Sequence, residues 1–172
     1  MSILYNSRLL FLAILLGCTG LLGSAIFVEP FKSMDACPMC MMQRAVFALI
    51  AVLCVLPLLH NPARLGQRIY ASITALASIA GAAIASRQLW LQSLPEDKVP
   101  ACGPGLEYML DVFPILDVIA MAIKGTGDCA EVQWTLASIS IPGWSLLAFI
   151  LITLTCVWIF LKPSPKKGFR TQ

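Results

Sequence analysis

Charged residues are scarce in this chain. They make up 12% of its 172 residues, against about 25% in soluble proteins, whereas hydrophobic residues make up 59%. A surface that faces water needs more charge than this, so we expect lipid to cover much of the protein. The chain also lacks a dense basic patch with interleaved aromatic residues, and we therefore expect no nucleic-acid partner.

Histidine is nearly absent as well, since it occurs once, at His60. No Cys-x-x-Cys-His sequence exists because Met41 follows Cys40, which excludes covalently attached haem. The same scarcity weakens the case for a metal centre. A cysteine-ligated copper or zinc site stays open as an alternative, because cysteine and methionine sulfurs can bind such ions.

Four long apolar runs are present instead. A helix that crosses the hydrocarbon core needs about 20 mostly apolar residues, and in lipid its backbone groups must be hydrogen-bonded within the segment. The runs therefore predict an all-α membrane protein, a single four-transmembrane-helix bundle. The expected spans are about residues 9–27, 41–59, 69–86 and 144–161. The first run is long for the core of a cleaved signal peptide, which is the alternative there.

The distribution of charge predicts the orientation, because Lys and Arg accumulate on the cytoplasmic side of span ends. Basic residues flank both chain ends and the connection at 60–68, whereas the other two connections contain all nine carboxylates. We therefore expect both termini in the cytoplasm of a bacterium, with the spans in its inner membrane. Periplasmic loops are expected at 28–40 and 87–143, a cytoplasmic loop at 60–68 and a cytoplasmic tail at 162–172.

The long loop contains one apolar stretch, Tyr108 to Ile123. Asp111 and Asp117 interrupt it and Pro114 breaks it, so it is too short and too charged to span. We expect a short amphipathic helix on the outer membrane surface. A loop with some buried apolar contacts is the alternative.

The seven cysteines fall into two groups. Those inside predicted spans are expected to pack as small hydrophobic side chains; they are Cys18, Cys54 and Cys156. Those in or beside the outer loops would meet an oxidising compartment, where disulfides persist; they are Cys37, Cys40, Cys102 and Cys129. Four cysteines allow three pairings, and the residues alone leave these open.

The outer cysteines differ in chemistry. Cys37-Pro38-Met39-Cys40 has the two-residue spacing of thiol–disulfide catalysts, in which one thiol has a depressed pKa. Cys102 and Cys129 would close a flexible loop whose disulfide could exchange. A structural staple is the alternative for that second pair. A membrane protein with two structural disulfides and no enzymatic activity is the corresponding alternative for the whole chain.

Arg44 is a charge within a predicted span, which costs at least about 2.5 kcal/mol and marks a candidate functional site. It follows Cys40 by four positions, so both side chains share one helix face, and a guanidinium there favours a thiolate. Snorkelling to the interface is the alternative. Cys40 would lie at the lipid boundary, within reach of a lipid-dissolved electron acceptor such as a quinone, which takes two electrons per disulfide formed.

These residues together resemble the DsbB family of quinone-dependent oxidases, which regenerate the soluble dithiol oxidase DsbA and keep the periplasm oxidising. The resemblance covers nearly the whole chain, with four spans and a cysteine pair in each outer loop. The matching residues are Cys37-Pro38-Met39-Cys40, Arg44, Cys102, Gly127-Asp128-Cys129-Ala130-Glu131 and Gln133-Trp134.

The resemblance implies redox-active disulfides Cys37–Cys40 and Cys102–Cys129. Reduced DsbA would attack Cys102, and the released Cys129 would exchange with Cys37. Cys40 would donate to ubiquinone or menaquinone, with Arg44 stabilising the thiolate and the quinone. No metal is implied. The Tyr108–Ile123 stretch resembles the family's mobile surface helix. A specialised paralogue with a dedicated dithiol partner is the alternative within the enzyme class.

The chain departs from the family at one point. Some members place a histidine near the outer end of span three, close to the quinone, whereas Gln88 and Gln92 occupy that end here, with Trp90 between them. We interpret these residues as an ordinary interfacial belt, and contact with quinone stays open.

Overall fold

The fold was analysed in a computed structural model, which describes residues 6–32, 37–101, 103, 106–132, 134–136 and 138–162. Cys102, Gln133 and the tail from 163 to 172 lie outside the described residues. The elements in chain order are α1 (Ser7–Lys32), α2 (Pro38–His60), α3 (Arg64–Gln92), a 3-10 helix (Glu96–Lys98), α4 (Leu106–Val112), α5 (Ile115–Lys124), α6 (Gly127–Ala130), β1 (Thr135–Leu136), β2 (Ile139–Ser140) and α7 (Ile141–Leu161).

Four helices, α1, α2, α3 and α7, are long and apolar enough to cross a membrane. The predicted four-helix membrane bundle is therefore confirmed. Each predicted span lies inside one of these helices, which begin earlier than the apolar runs or continue past them. The polar residues at the helix ends extend the backbone hydrogen bonding beyond the apolar part, so an apolar run gives the minimum length of its helix.

Helix α3 packs closely against α7, while α2 packs against both α1 and α3. The Phe47 and Phe149 rings stack in the core with centroids 4.2 Å apart. A side chain at Gly81 would overlap the Phe149 ring, so glycine is what lets α3 approach α7 here. Ser78 Oγ donates a hydrogen bond of 2.8 Å to the Phe149 carbonyl, which satisfies the hydroxyl inside the bundle.

At the end of the bundle away from Cys37, arginine side chains form hydrogen bonds from one helix to the backbone carbonyls of another. Arg8 Nη2 donates to the Leu58 carbonyl at 2.8 Å, and Arg68 Nε donates to the Phe160 carbonyl at 3.2 Å. These carbonyls belong to the last turns of α2 and α7, which have no partner within their own helix. Helix α2 ends where Asn61 adopts a left-handed conformation, with φ 43°.

The connection between α3 and α7 corrects one expectation. The single amphipathic helix expected over Tyr108–Ile123 is two short helices, α4 and α5, because Pro114 lacks the N–H that would continue the first and instead caps the second. On α5, Val118 and Ala122 are buried, while an apolar row faces outward; it consists of Ile115, Leu116, Ile119 and Ile123. The predicted amphipathic character is thus confirmed for α5.

A small antiparallel hairpin, β1 with β2, precedes α7, and it pairs Thr135 with Ser140. We did not predict it. Strands of two residues are too short to show alternation in the sequence, and Ser138 in its turn has φ 64° without being glycine.

Candidate active site

The first turn of α2 brings Cys37 and Cys40 together. Cys37 caps the helix in an extended conformation, with φ −63° and ψ 157°, and Pro38 at the first helical position favours this geometry. The Cys40 backbone N–H donates to Cys37 Sγ at 3.4 Å, and the two Sγ atoms lie 3.0 Å apart. Both are free thiols in this structure. The Cys-x-x-Cys sequence thus forms a close dithiol at one end of the bundle.

Helix α6 adds a third thiol to this pair. Cys129 is fully buried, at 0% exposure, and its sulfur accepts hydrogen bonds from the Cys37 thiol and the Met39 backbone. The structure therefore places the Cys129 sulfur against the dithiol, 92 positions after Cys37 in the chain. A thiol from the long connection and a thiol at the start of α2 are within reach of direct exchange.

Gly125 explains how this segment can lie so close to the helices. It has φ 82°, and a Cβ there would overlap Leu91 of α3 and approach Met39 Sδ at 3.4 Å. Any other residue would be strained in this conformation and would push the segment away. Glycine at 125 therefore holds α6, and with it Cys129, against α2 and α3.

The hydrogen bonds divide proton and charge between Cys37 and Cys129. The pKa of Cys37 is raised because its thiol donates to Cys129 and to Cys40, and because burial disfavours the charged form. The same bond from Cys37, helped by the Met39 and Thr126 N–H groups, outweighs burial and lowers the pKa of Cys129 to about 6. In this fully reduced state, Cys37 therefore holds its proton and Cys129 carries the thiolate character that disulfide exchange requires of a nucleophile.

Gln88 belongs to the site, which corrects its interpretation as part of an interfacial belt. Its side chain is 2% exposed, and its Nε2 donates to Cys37 Sγ at 3.3 Å and to Cys40 Sγ at 3.2 Å. Its Oε1 accepts from Gln43 Nε2 at 2.7 Å. Polar side chains inside spans are functional candidates. Gln43, three positions after Cys40 in a predicted span, is therefore the sequence feature that could have indicated this hydrogen-bond network.

The neighbours of Gln88 behave differently. Trp90 is 49% exposed, and the Arg87 guanidinium lies over its ring at 4.2 Å, as in an interfacial belt. Gln92 Oε1 accepts from Ser140 Oγ at 2.9 Å, which links α3 to the start of α7. Of the three residues at this helix end, Gln88 is the one that touches both thiols of α2.

A cavity of about 540 Å³ adjoins the dithiol between α1, α2 and α7. Its size is within the range of about 300–1,000 Å³ that is typical of small-molecule sites. Cys40, Gln43 and Arg44 form the α2 wall, while the α1 and α7 walls are mainly apolar. Arg44 Nη1 lies 3.7 Å from Met41 Sδ. The structure thus places Arg44 and Cys40, as their spacing predicted, on one wall of the same cavity.

Cys102 lies outside the described residues, but its neighbours in the chain are informative. The Gly127 N–H donates to the Ala101 carbonyl at 3.2 Å, and a side chain at Gly103 would overlap Thr126. The residues on either side of Cys102 therefore contact the segment just before Cys129.

The remaining cysteines, Cys18, Cys54 and Cys156, are buried in the bundle core, which agrees with a packing role. Within the ranges that the structure describes, no three His, Cys, Asp or Glu side chains are arranged to hold a metal ion.

Comparison with known proteins identifies the family. The family model described as "Disulfide bond formation protein DsbB" matches residues 7–159. The chain belongs to the DsbB family. Disulfide bond formation protein B of Hahella chejuensis is 49% identical over 155 residues, which are 90% of this chain and 93% of the relative. The Marinobacter nauticus protein of the same name is 44% identical over 157 residues, which are 91% and 94%.

A third relative, Disulfide bond formation protein B 1 of Pseudomonas aeruginosa, is 44% identical over 147 residues, covering 86% of this chain and 90% of the relative. No solved structure matches the chain. Membership in the DsbB family confirms the resemblance: this is a membrane disulfide bond formation protein, an oxidoreductase with four apolar helices. The copper or zinc alternative is not favoured.

Proposed function

We propose that this DsbB-family protein reoxidises a DsbA-like periplasmic thiol oxidase and passes the electrons to the membrane quinone pool. The observation that carries the proposal is the position of Cys40. Its sulfur belongs to the dithiol on one side and borders the 540 Å³ cavity on the other. In the proposed orientation the protein lies in a bacterial inner membrane, with both termini cytoplasmic and the cysteine-bearing loops periplasmic.

Electrons enter at a Cys102–Cys129 disulfide. A thiolate of the reduced partner attacks Cys102 and forms a mixed disulfide, while Cys129 leaves as a thiolate. The contacts of Ala101 and Gly103 with the Thr126–Gly127 segment support this pairing. The hydrogen bonds from the Met39 and Thr126 backbone to the Cys129 sulfur stabilise it as a thiolate and so favour its departure, because thiols of lower pKa leave faster.

The next step passes the electrons to α2. The Cys129 thiolate attacks Cys37 of the Cys37–Cys40 disulfide, and Cys40 leaves as a thiolate. The direct hydrogen bond between Cys37 and Cys129 supports this route. The second thiol of the partner then attacks its mixed disulfide with Cys102 and releases Cys102. Cys102 in turn attacks Cys129 in the Cys129–Cys37 disulfide, which re-forms the Cys102–Cys129 bond and leaves Cys37 and Cys40 as a dithiol. One partner dithiol has become one disulfide, so the electrons balance.

The dithiol is then reoxidised by quinone, which takes up two electrons and two protons. The apolar walls of the cavity suit the ring and chain of ubiquinone or menaquinone, and Cys40 is the donor that borders it. Arg44 on the same wall supplies a positive charge where negative charge develops on the quinone oxygen, which is the form of stabilisation that polar groups provide best in a dry site.

The test is quinone reduction by the purified protein in detergent, with reduced DsbA and ubiquinone. Cys40→Ser should abolish turnover, because it removes the sulfur that borders the cavity. Cys54→Ala, in the buried core of the same helix, is the matched control and should turn over normally. Turnover with another dithiol protein but not with DsbA would indicate a specialised paralogue. Absence of quinone reduction with every dithiol would contradict the proposal.

A further inference from the structure

A second, much smaller cavity also adjoins the dithiol, and it shares Cys40, Trp134 and Ile141 with the lining of the large one. It measures about 20 Å³, and a site of at least about 10–15 Å³ with polar partners can hold one water molecule. Cys37, Cys40, Gln88, Asp128 and Glu131 belong to its lining, together with apolar surface from Trp134, Ile141 and Pro142. These two acidic residues flank Cys129, and the electron path leaves them without a role.

The two cysteines of the dithiol differ in which cavities they border. Cys40 borders both, whereas Cys37 borders the small cavity and is not part of the lining of the large one. Oxidation of a dithiol to a disulfide releases one proton from each thiol. In the proposed exchange step Cys40 leaves as a thiolate, and the Cys37 thiol donates a hydrogen bond to it. The Cys37 proton has to leave before the S–S bond can form, and the small cavity, which has carboxylate residues in its lining, is a space beside it.

Asp128 and Glu131 differ in their exposure to solvent, which gives the order in which they would receive the proton. Asp128 is half-buried and accepts a hydrogen bond of 3.3 Å from Thr126 Oγ1, while Glu131 is exposed. An inner carboxylate held in place and an outer one in contact with solvent together form a short route from the dithiol to water. A general base can accept a proton by direct contact or through one intervening water.

We propose that Asp128 accepts the Cys37 proton through a water molecule in the small cavity, and that Glu131 passes it to bulk water. The proposal rests on the proposed function, which supplies the oxidant. The Cys37 S–H bond breaks and its proton goes to Asp128. The Cys37–Cys40 bond forms as the two sulfurs together lose two electrons to quinone, and quinone takes two protons from water to become quinol. The raised pKa of Cys37 agrees with a thiol that keeps its proton until an acceptor is beside it.

The experiment isolates the quinone step. Full-length protein is reduced with one equivalent of reduced DsbA, which leaves Cys102–Cys129 closed and Cys37–Cys40 as the dithiol, and it is then mixed with ubiquinone in a single turnover. Asp128→Asn keeps an oxygen for Thr126 but removes the acceptor, so the rate should fall at least about tenfold, given that positioned acid–base groups contribute about 10²–10⁴. The solvent deuterium isotope effect should rise, because proton removal becomes rate-limiting, and formate or imidazole should restore part of the rate.

Asp117→Asn is the matched control, since Asp117 is an exposed carboxylate of α5 and does not line the cavity. It should change neither the rate nor the isotope effect. Glu131→Gln, at an exposed position that tolerates substitution, should slow the step less than Asp128→Asn and respond to the same added acids and bases. If Asp128→Asn does not fold, the Glu131→Gln variant decides whether these carboxylates carry the proton.

Normal rates in both acidic variants would overturn the proposal, and so would a loss that formate and imidazole do not relieve. Either result is distinct from failure of the proposed function, in which the unmodified protein itself would not reduce quinone.

Discussion

At the scale of single residues, the amide of Gln88 is the group that organises the dithiol. It lies 51 positions from Cys37 and 48 from Cys40, yet it donates to both sulfurs. Gln43 donates to its oxygen, which turns the amide hydrogens toward the thiols. Hydrogen bonds of this kind stabilise negative charge on sulfur, and hence the reduced form of the pair relative to the disulfide.

Gln88→Leu should therefore make the Cys37–Cys40 pair less oxidising. Hydrogen bonds to charged groups contribute about 1.5–3 kcal/mol, and about 30 mV corresponds to 1.4 kcal/mol for a two-electron couple, so we expect the reduction potential to fall by about 30–60 mV. Redox titration against a glutathione or dithiothreitol buffer measures the reduction potential of the Cys37–Cys40 pair. Gln67→Leu removes an amide that bonds the Pro62 carbonyl at the other end of α3 and should leave the potential unchanged. An equal shift in both variants would count against the role of Gln88.

Local spacing was sufficient to select most of the candidate residues in advance. The two-residue interval between Cys37 and Cys40 and the four-residue interval to Arg44 are properties of one helix turn, and the structure keeps them together. The role of Gln88 was not predicted, because it depends on how α3 is rotated against α2. A single glutamine near a span end has the same appearance in the sequence whether it faces solvent or two thiols.

At the scale of elements, the short helices between α3 and α7 determine where Cys129 lies. Pro114 separates α4 from α5, and Gly125 ends α5 in a conformation that lets α6 turn back toward the bundle. Proline at the break could be predicted from its chemistry. The return of α6 could not, since it depends on a long-range fit of Gly125 to Leu91 and Met39.

Gly125→Ala should displace α6 and separate Cys129 from Cys37. A residue with a Cβ is disfavoured at φ 82° and ψ 144° by about 1–3 kcal/mol, and the overlap with Leu91 adds to this. DsbA-driven turnover should slow several-fold, while a single turnover from the reduced Cys37–Cys40 pair to quinone should change little. Gly17→Ala, where an added Cβ meets nothing within 4 Å, is the control. Equal slowing of both steps would show that Gly125 acts on the dithiol itself.

At the scale of the whole molecule, the two ends of the bundle differ in chemistry. One end carries the dithiol and Cys129, and the other carries arginines that bind the last carbonyls of α2 and α7. The apolar runs sufficed to predict four spans, because their length alone requires helices in lipid. The large cavity was not predictable, since its walls come from three helices and the hairpin segment, whose spacing no local pattern encodes.

The proposed orientation follows from this difference between the ends. Green fluorescent protein fused after residue 172 should fluoresce, because it folds in the cytoplasm. Alkaline phosphatase fused after Lys98 should be active, because it matures in the periplasm, whereas the same fusion after Asn61 should be inactive. The opposite pattern would contradict the periplasmic placement of the cysteines, even though the bundle itself would be unchanged.

The position of Cys40 between two unlike cavities also bears on how the protein could be inhibited. A small apolar compound that fills the 540 Å³ cavity would compete with quinone, but it would leave the contact between Cys37 and Cys129 free for exchange, because neither cysteine lines that cavity. Such a compound should be competitive toward quinone and noncompetitive toward the protein dithiol. A peptide that mimics the dithiol partner would show the reverse pattern, and the two inhibitors should bind at the same time.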